Sequence, residues 1–368
     1  MIASEASAKR YAYQPDIAIP PGETLRETIE ALGMSQAELA QRTGRTTKNI
    51  NEIIMGKAAI TPDGALQLER VLGVPASFWN NLESNYRDTL ARLAEQDRLE
   101  QHYDWVQKFP VAAMVKRGVL PAASDRLQTL RNLLDFFGVS SPEAWAEGWK
   151  QQRAAFRASP KFQADEGAVA TWLRLGELEA QGIQCEPYDR AKFEGALTEA
   201  RKLTMTPIEK AQSRLVEGCA SAGVAVVFVP RLPKVPLHGA TRWLTSHKAI
   251  IQLSLRFKRH DGLWFTFFHE AAHILRHEKK KTVFLNLDNA GYQEEEEANR
   301  FAADWLIPPQ DYKRFVATHG RRVSKADVVS FAKFLGIAPG IVVGRLQHEG
   351  LIPYSHFKDL TITLRWAA

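Results

Sequence analysis

A chain of 368 residues with 45% hydrophobic and 24% charged side chains holds enough apolar material for two or three cores, which sets aside a disordered or low-complexity protein. Its net charge of +6 permits an acidic partner such as nucleic acid without requiring one. No window approaches the roughly 18 apolar residues of a membrane span, residues 1–16 lack the apolar core of a signal peptide, and Cys185 and Cys219 have no C-x-x-C spacing. The expectation is therefore a cytoplasmic protein with no disulfide framework and no thiolate metal site.

From residue 20 to residue 100 the sequence breaks into short helical periods, with Pro21, Gly33, Gly44, Gly56, Pro62 and Gly73 at the joints. Nine Arg and Lys stand against twelve Asp and Glu over 22–100, so an argument for DNA rests on where the basic residues sit. The segment from Met34 has a capped start at Ser35, a small Ala40 where two helices must touch and Gly44 at the turn. The next helix is expected to begin at Thr46 or Thr47, to bury Ile50, Ile53 and Ile54, and to turn Thr47, Lys48, Asn51 and Glu52 outward. Those outward positions are the ones a helix-turn-helix presents to base edges in the major groove. Arg42, Arg45, Lys48 and Lys57 against Glu52 alone make this stretch locally basic, and Gln36 at a helix N-terminus is placed to hold a phosphate. The candidate DNA-binding residues are Gln36, Arg45, Thr46, Thr47, Lys48, Asn51, Glu52 and Lys57. The blander reading is a helical hairpin with a solvated polar face.

Pro21-Gly22-Glu23 with Leu25, then Met34-Ser35-Gln36, Ala40, Ile50, Gly56-Lys57, Ile60-Thr61, Leu72-Gly73 and Phe78-Trp79, together resemble the phage-repressor-like helix-turn-helix of HigA/VapI-type antitoxins. The resemblance covers about 80 residues. It implies a compact five-helix domain that binds operator DNA as a homodimer and often represses its own promoter. Simple antitoxins of that kind end where this chain continues.

Residues 101–215 read as an all-helical connector; Ser141 as N-cap and Pro142 in the first turn precede Trp145, Trp149 and Phe156 on a common face. The pattern changes at 224–230, a β-branched run bounded by Gly223 and Pro230. A second strand fits 249–255 and a short one fits 238–244, so a small sheet precedes a helix that starts after Asp261 and Gly262.

That helix carries His269-Glu270-Ala271-Ala272-His273 inside an apolar stretch. Positions i and i+4 share a helix face, so both imidazoles can reach one tetrahedral metal. His277 sits eight residues beyond His269, about 12 Å of rise, and is expected to support the site or to face solvent rather than to ligate. The better third ligand lies in the run Glu294, Glu295, Glu296 and Glu297: a helix there puts Glu295 on the face of Ala298, Asn299 and Ala302, whose small side chains allow close approach. Glu294 and Glu297 remain alternatives, and a solvated, macrodipole-favoured helix start accounts for the rest. With Zn2+ held by His269, His273 and Glu295, Glu270 is the expected catalytic base of peptide-bond hydrolysis. An edge of strand 238–244 or 249–255 would hold the substrate extended, and His238, Tyr292 and Arg242 are unranked candidates to stabilise an oxyanion.

His269 to His273, His277, Glu295 with Glu297-Ala298-Asn299, Phe301-Ala302-Ala303 and Leu306-Ile307-Pro308 resemble the ImmA/IrrE family of metallopeptidases over roughly 215–350. The resemblance implies Glu295 as third ligand and a peptidase of a family whose members include proteases that cleave helix-turn-helix repressors. The tail over 324–350, with Val328, Phe331, Phe334 and Leu335, could pass for a second helix-turn-helix, but packing against the peptidase core is expected because similar tails accompany this family.

The expected fold is α+β and mostly α: a five-helix helix-turn-helix domain over 1–100, the connector over 101–215, and a zincin-like domain over 216–368 with a small sheet and the H-E-x-x-H helix. The expected function is a DNA-binding, antitoxin-like regulator whose zinc endopeptidase domain hydrolyses a regulatory protein. The alternative is a non-proteolytic antitoxin or scaffold whose zinc domain binds a partner such as a toxin.

Overall fold

The computed structural model describes residues 17–157, 165–256, 258–277, 284–285 and 293–366. Tyr292 and the basic run 279–281 lie outside the described residues, as does the side chain of Phe156. The chain divides into two compact units, Met1–Tyr103 and Asp104–Ala368.

In the first unit, helices α1 (Pro21–Ala31), α2 (Gln36–Thr43), α3 (Thr47–Ile54), α4 (Pro62–Leu72) and α5 (Ala76–Glu100) follow the punctuation of the sequence. Proline occupies the first turn of α1 and of α4, where its missing N–H costs nothing. The hydroxyls of Ser35, Thr46 and Thr61 each accept a backbone N–H at the start of α2, α3 and α4. Gly44 ends α2 with φ 68°, a left-handed conformation that releases the chain into α3. Leu25, Ile29, Leu39, Ala40, Ile50, Ile53, Ile54 and Trp79 are among the residues of one apolar cluster. At Gly22 a Cβ would stand 2.2 Å from the carbonyl oxygen of Ile53, so α1 and α3 meet backbone to backbone.

The second unit opens with α6 (Tyr103–Val106), α7 (Val111–Lys116), α8 (Arg126–Phe137), α9 (Pro142–Arg157), α10 (Glu166–Gln181), α11 (Arg190–Leu203) and α12 (Ile208–Ala220). As the Ser-Pro start of α9 predicts, the Ser141 hydroxyl accepts from Ala144 N, and Trp145 stacks on Trp149 with ring centroids 5.6 Å apart. Strands β1 (Val224–Phe228), β2 (Gly239–Thr245) and β3 (Lys248–Leu253) precede α13 (His260–Arg276), and β4 (Phe284–Leu285) precedes α14 (Gln293–Leu306). The chain ends with α15 (Pro309–His319), α16 (Lys325–Leu335) and α17 (Pro339–His348). Among the described residues the sheet order is β1-β3-β2-β4, with β1 and β3 parallel and the other pairs antiparallel.

Strand alternation divides the sheet between two cores. Val224, Val226, Ala249, Ile251 and Leu253 face the core built with α11, α12, α13, α14 and the C-terminal helices, whereas Ala225, Val227, Ala240 and Ile250 face α9 and α10. α13 therefore lies on one face of the sheet and α10 on the other.

Three expectations need correction. α13 begins at His260 rather than after Gly262: Leu263 N already donates to Arg259 O at 3.0 Å, and the His260 N–H is satisfied by Ile362 O at 3.0 Å. β3 is an interior strand, paired on both sides, and cannot offer an edge to a substrate; β2 is itself paired at Ala240 and Thr241 by β4. Arg242 is buried with its guanidinium donating to Leu173 O at 2.9 Å and to Glu177 at 3.3 Å, so it braces α10 and is not directed at the H-E-x-x-H residues. In the tail, Ile341, Val342, Val343 and Leu346 of α17 are buried in the main core, which is the packing role expected of it. No single helix among the described residues is long and apolar enough to cross a membrane.

Candidate metal centre

α13 is buried along nearly its whole length, and its apolar residues Leu263, Trp264, Phe267, Phe268, Ala271, Ile274 and Leu275 fill the core. The same 3.6-residue period leaves His269 and His273 on the face that meets α14, both 1% exposed. α14 turns Glu295, Ala298 and Ala302 inward, and the two alanines, each 0% exposed, let the helices approach closely enough for the Glu295 carboxylate to arrive between the imidazoles.

The three donors converge. His269 Nε2 lies 3.1 Å from Glu295 Oε2, His273 Nε2 lies 3.4 Å from Glu295 Oε1, and the two Nε2 atoms are 3.1 Å apart. Ligand bonds of about 2.0–2.1 Å at tetrahedral angles give donor–donor edges of about 3.3 Å, so the separation of the two imidazoles, and of each imidazole from the carboxylate oxygen nearest it, is that of donors around a single ion. Nitrogen and oxygen donors in this number and geometry fit a metal centre, and His269, His273 and Glu295 are a group able to hold one.

The surrounding residues fix how the imidazoles point. His269 Nδ1 donates to Asn299 Oδ1 at 2.9 Å, which leaves the Nε2 lone pair directed at the shared point. α13 stops at Arg276, and His277, in extended backbone at the C-cap, shares a hydrogen bond with His273 through their Nδ1 atoms at 3.0 Å while its Nε2 lies 3.7 Å from Glu297. His277 thus supports a ligand histidine from behind. Burial works to lower the His269 imidazole, but the hydrogen bond to Glu295 and the charges of Glu270 and Glu295 outweigh it and hold the group above its ordinary value. Burial, with His269 and His277 alongside, pushes His273 well below its ordinary value. Of this facing pair, one imidazole favours the proton and the other resists it.

Glu270 is 0% exposed and points toward the sheet, where Thr241 Oγ1 donates to its Oε2 at 2.7 Å. At Gly239 a Cβ would stand 2.5 Å from Glu270 Oε1. Glu294, Glu296 and Glu297 are not part of the converging group; Glu294 and Glu296 are exposed. His238 precedes β2, with its ring 3.2 Å from Arg256 Nη1. His277 takes the supporting place that was one of its two expected ones, whereas the roles of Asn299, Thr241 and Gly239 escaped the sequence reading of the site. Asn299 alone had a signal there, lying four residues after Glu295 on the same helix face.

In the first unit, Thr46 caps α3, and Thr47, Lys48, Asn51 and Lys57 are exposed. Asn51 Nδ2 reaches toward Gln36 Oε1 at 3.5 Å, which brings the starts of α2 and α3 to one patch, and Glu52 sits 3.9 Å from Lys48. Arg45 is placed differently: half-buried, it donates to Gln67 at 2.7 Å and to Asn49 at 2.8 Å, tying α3 to α4.

Residues 221–347 match the IrrE N-terminal-like domain family, and residues 25–79 match the helix-turn-helix family. The chain is 39% identical over 82 residues to Virulence-associated protein I of Dichelobacter nodosus, covering 22% of this chain and 73% of that protein. It is 31% identical over 64 residues to the uncharacterized HTH-type transcriptional regulator YddM of Escherichia coli strain K12, covering 17% and 68%. Among solved structures, an addiction module antidote protein of the HigA family from Coxiella burnetii shares 33% identity, with 23% of this chain and 92% of that chain covered and a TM-score of 0.22.

Proposed function

Given that this chain belongs to the helix-turn-helix regulators related to Virulence-associated protein I and joins that DNA-binding regulator domain to an IrrE-like domain of a metallopeptidase family, we propose that it is a cytoplasmic, operator-binding regulator and a zinc endopeptidase. The observation that carries the enzymatic half is the meeting of His269 Nε2 and His273 Nε2, 3.1 Å apart, with the Glu295 carboxylate, whose Oε2 lies 3.1 Å from the first and whose Oε1 lies 3.4 Å from the second. His269, His273 and Glu295 hold the ion. Bound zinc supplies Lewis acidity that polarises a peptide carbonyl and acidifies water.

Glu270 then does the proton work. As the water oxygen bonds to the carbonyl carbon, the Glu270 carboxylate takes the proton, and it returns that proton to the peptide nitrogen when the C–N bond breaks. Its complete burial keeps bulk water away from this transfer. Because the enzymatic centre shares a chain with a regulator domain, the substrate is a regulatory protein, and 1–100, 101–215 and 216–368 serve as reading, connecting and cleaving segments. In the reading segment, Gln36, Arg45, Thr46, Thr47, Lys48, Asn51, Glu52 and Lys57 face the operator, Arg45 being also hydrogen-bonded to Asn49 and Gln67, and two chains bind as a homodimer.

The test is Glu270→Gln in the full chain. Zinc content measured by atomic absorption stays at the wild-type level while hydrolysis of the regulatory substrate stops. If the variant keeps wild-type hydrolysis, or if wild-type protein takes up no zinc, the enzymatic reading is wrong. If operator release and partner neutralisation proceed unchanged in the variant, the chain acts as an antitoxin or scaffold that binds a toxin without cleaving it.

A further inference from the structure

We infer that Thr241 is the positioning residue for the Glu270 carboxylate, and that β2 aims this carboxylate with two residues of one strand face: Thr241 through a hydrogen bond and Gly239 through the absence of a side chain. The inference rests on the reading of Glu270 as the group that moves the proton.

A glutamate on a helix has several staggered rotamers, and only some of them direct the carboxylate at the point the three metal donors share. For Glu270 the choice is made from the sheet. Thr241 Oγ1 donates to Oε2 at 2.7 Å and also lies 3.2 Å from the Glu270 backbone oxygen, so one hydroxyl addresses both ends of the same residue. The hydroxyl is itself rigidly held. Thr241 is 1% exposed, its β-branched side chain is restricted about χ1, and its backbone pairs with Ile251 of β3 on one side and Phe284 of β4 on the other. A donor mounted on the doubly paired part of a sheet does not follow the carboxylate if the carboxylate moves.

Gly239 lies two residues earlier, hence on the same face of β2. A Cβ there would stand 2.5 Å from Glu270 Oε1 and 2.8 Å from Thr266 Cγ2. Gly239 is not among the glycines with positive φ, so volume rather than backbone conformation requires glycine. One carboxylate oxygen is thus bonded to the strand and the other rests against its bare Cα. A displacement of about 1 Å in such a group is enough to cost roughly 100-fold in rate.

Three full-length, zinc-loaded variants test this: Thr241→Val, which keeps the shape and removes the hydroxyl, Thr241→Ser, which keeps the hydroxyl, and Gly239→Ala. Crystal structures are expected to show the Glu270 carboxylate displaced by about 1 Å or split between rotamers in Thr241→Val, and in its original place in Thr241→Ser. Zinc content stays equal across wild type and both Thr241 variants. With fluorescently labelled casein as probe, Thr241→Val lowers kcat about 100-fold with KM within about threefold, and Thr241→Ser restores most of the rate. A single unshifted carboxylate in Thr241→Val overturns the inference, and so does loss of zinc from that variant, which would assign the hydroxyl to the ligand frame. Should Gly239→Ala fail to fold, the Thr241 pair still decides. Wild-type protein that binds zinc but hydrolyses nothing would sink the peptidase reading while the carboxylate positions still judged this one.

Discussion

The buried histidines show how a side chain's surroundings select its protonation state. Trp264 Nε1 donates to His260 Nε2 at 2.9 Å, which requires a lone pair there, and burial depresses the imidazole, only partly offset by the charge of Asp261. The unfolded chain therefore binds a proton at this site that the folded chain resists, and stability falls as pH drops through the ordinary histidine value of about 6.5. Metal-free wild-type protein is expected to lose more stability from about pH 7.5 to about 5.5 than His260→Gln does, read from urea midpoints at each pH. At the other end of the chain, Lys48 is 84% exposed at its side chain and only 3.9 Å from Glu52, a surface pair of little worth that leaves the ammonium available to DNA. Lys48→Ala is expected to weaken a preferred operator by about 1–3 kcal/mol relative to unrelated duplex, measured by fluorescence anisotropy. An equal loss on both duplexes would make it a phosphate contact.

Between elements, close approach decides more than apolar area. Since a Cβ at Gly22 would stand 2.2 Å from Ile53 O and 2.4 Å from Ile54 Cα, Gly22→Ala must push α1 from α3. A loss of roughly 1–3 kcal/mol for the first unit is expected in chemical denaturation, with weaker operator binding because α3 shifts. This contact also marks a limit of the sequence. The capped starts at Ser35 and Thr46, the buried triplet Ile50, Ile53 and Ile54, and the inward face of Glu295 with Ala298 and Ala302 are periodic and local, so they were legible in the chain. The pairing of β3 on both sides, the bracing role of Arg242, and the convergence of Gly239 and Thr241 on Glu270 were not. These depend on register and on helix-to-sheet packing, which join residues of different elements, 29 positions apart for Thr241 and Glu270 and 69 for Arg242 and Leu173, and leave no periodic trace. Arg45 shows the same limit in small: nothing in the local pattern announced its hydrogen bond to Gln67, 22 residues away.

For the molecule as a whole, each unit has an apolar core of its own, and the metal donors belong to the second unit alone. Calorimetry of the full chain is expected to show two transitions, with zinc raising only the one that belongs to 104–368. At zinc about 100-fold above its dissociation constant the gain is about 2.7 kcal/mol, and a chelator removes it. A zinc-dependent shift in both transitions would contradict this. The burial of α17 has a consequence for stoichiometry. With Val342, Val343 and Leu346 at 0% exposure, α17 is taken up by the core of its unit rather than free to enter a groove of DNA as a recognition helix. Among the described residues α3 is then the reading helix of one polypeptide, and if the proposed function holds, a palindrome with two half-sites would recruit two polypeptides and with them two candidate metal centres.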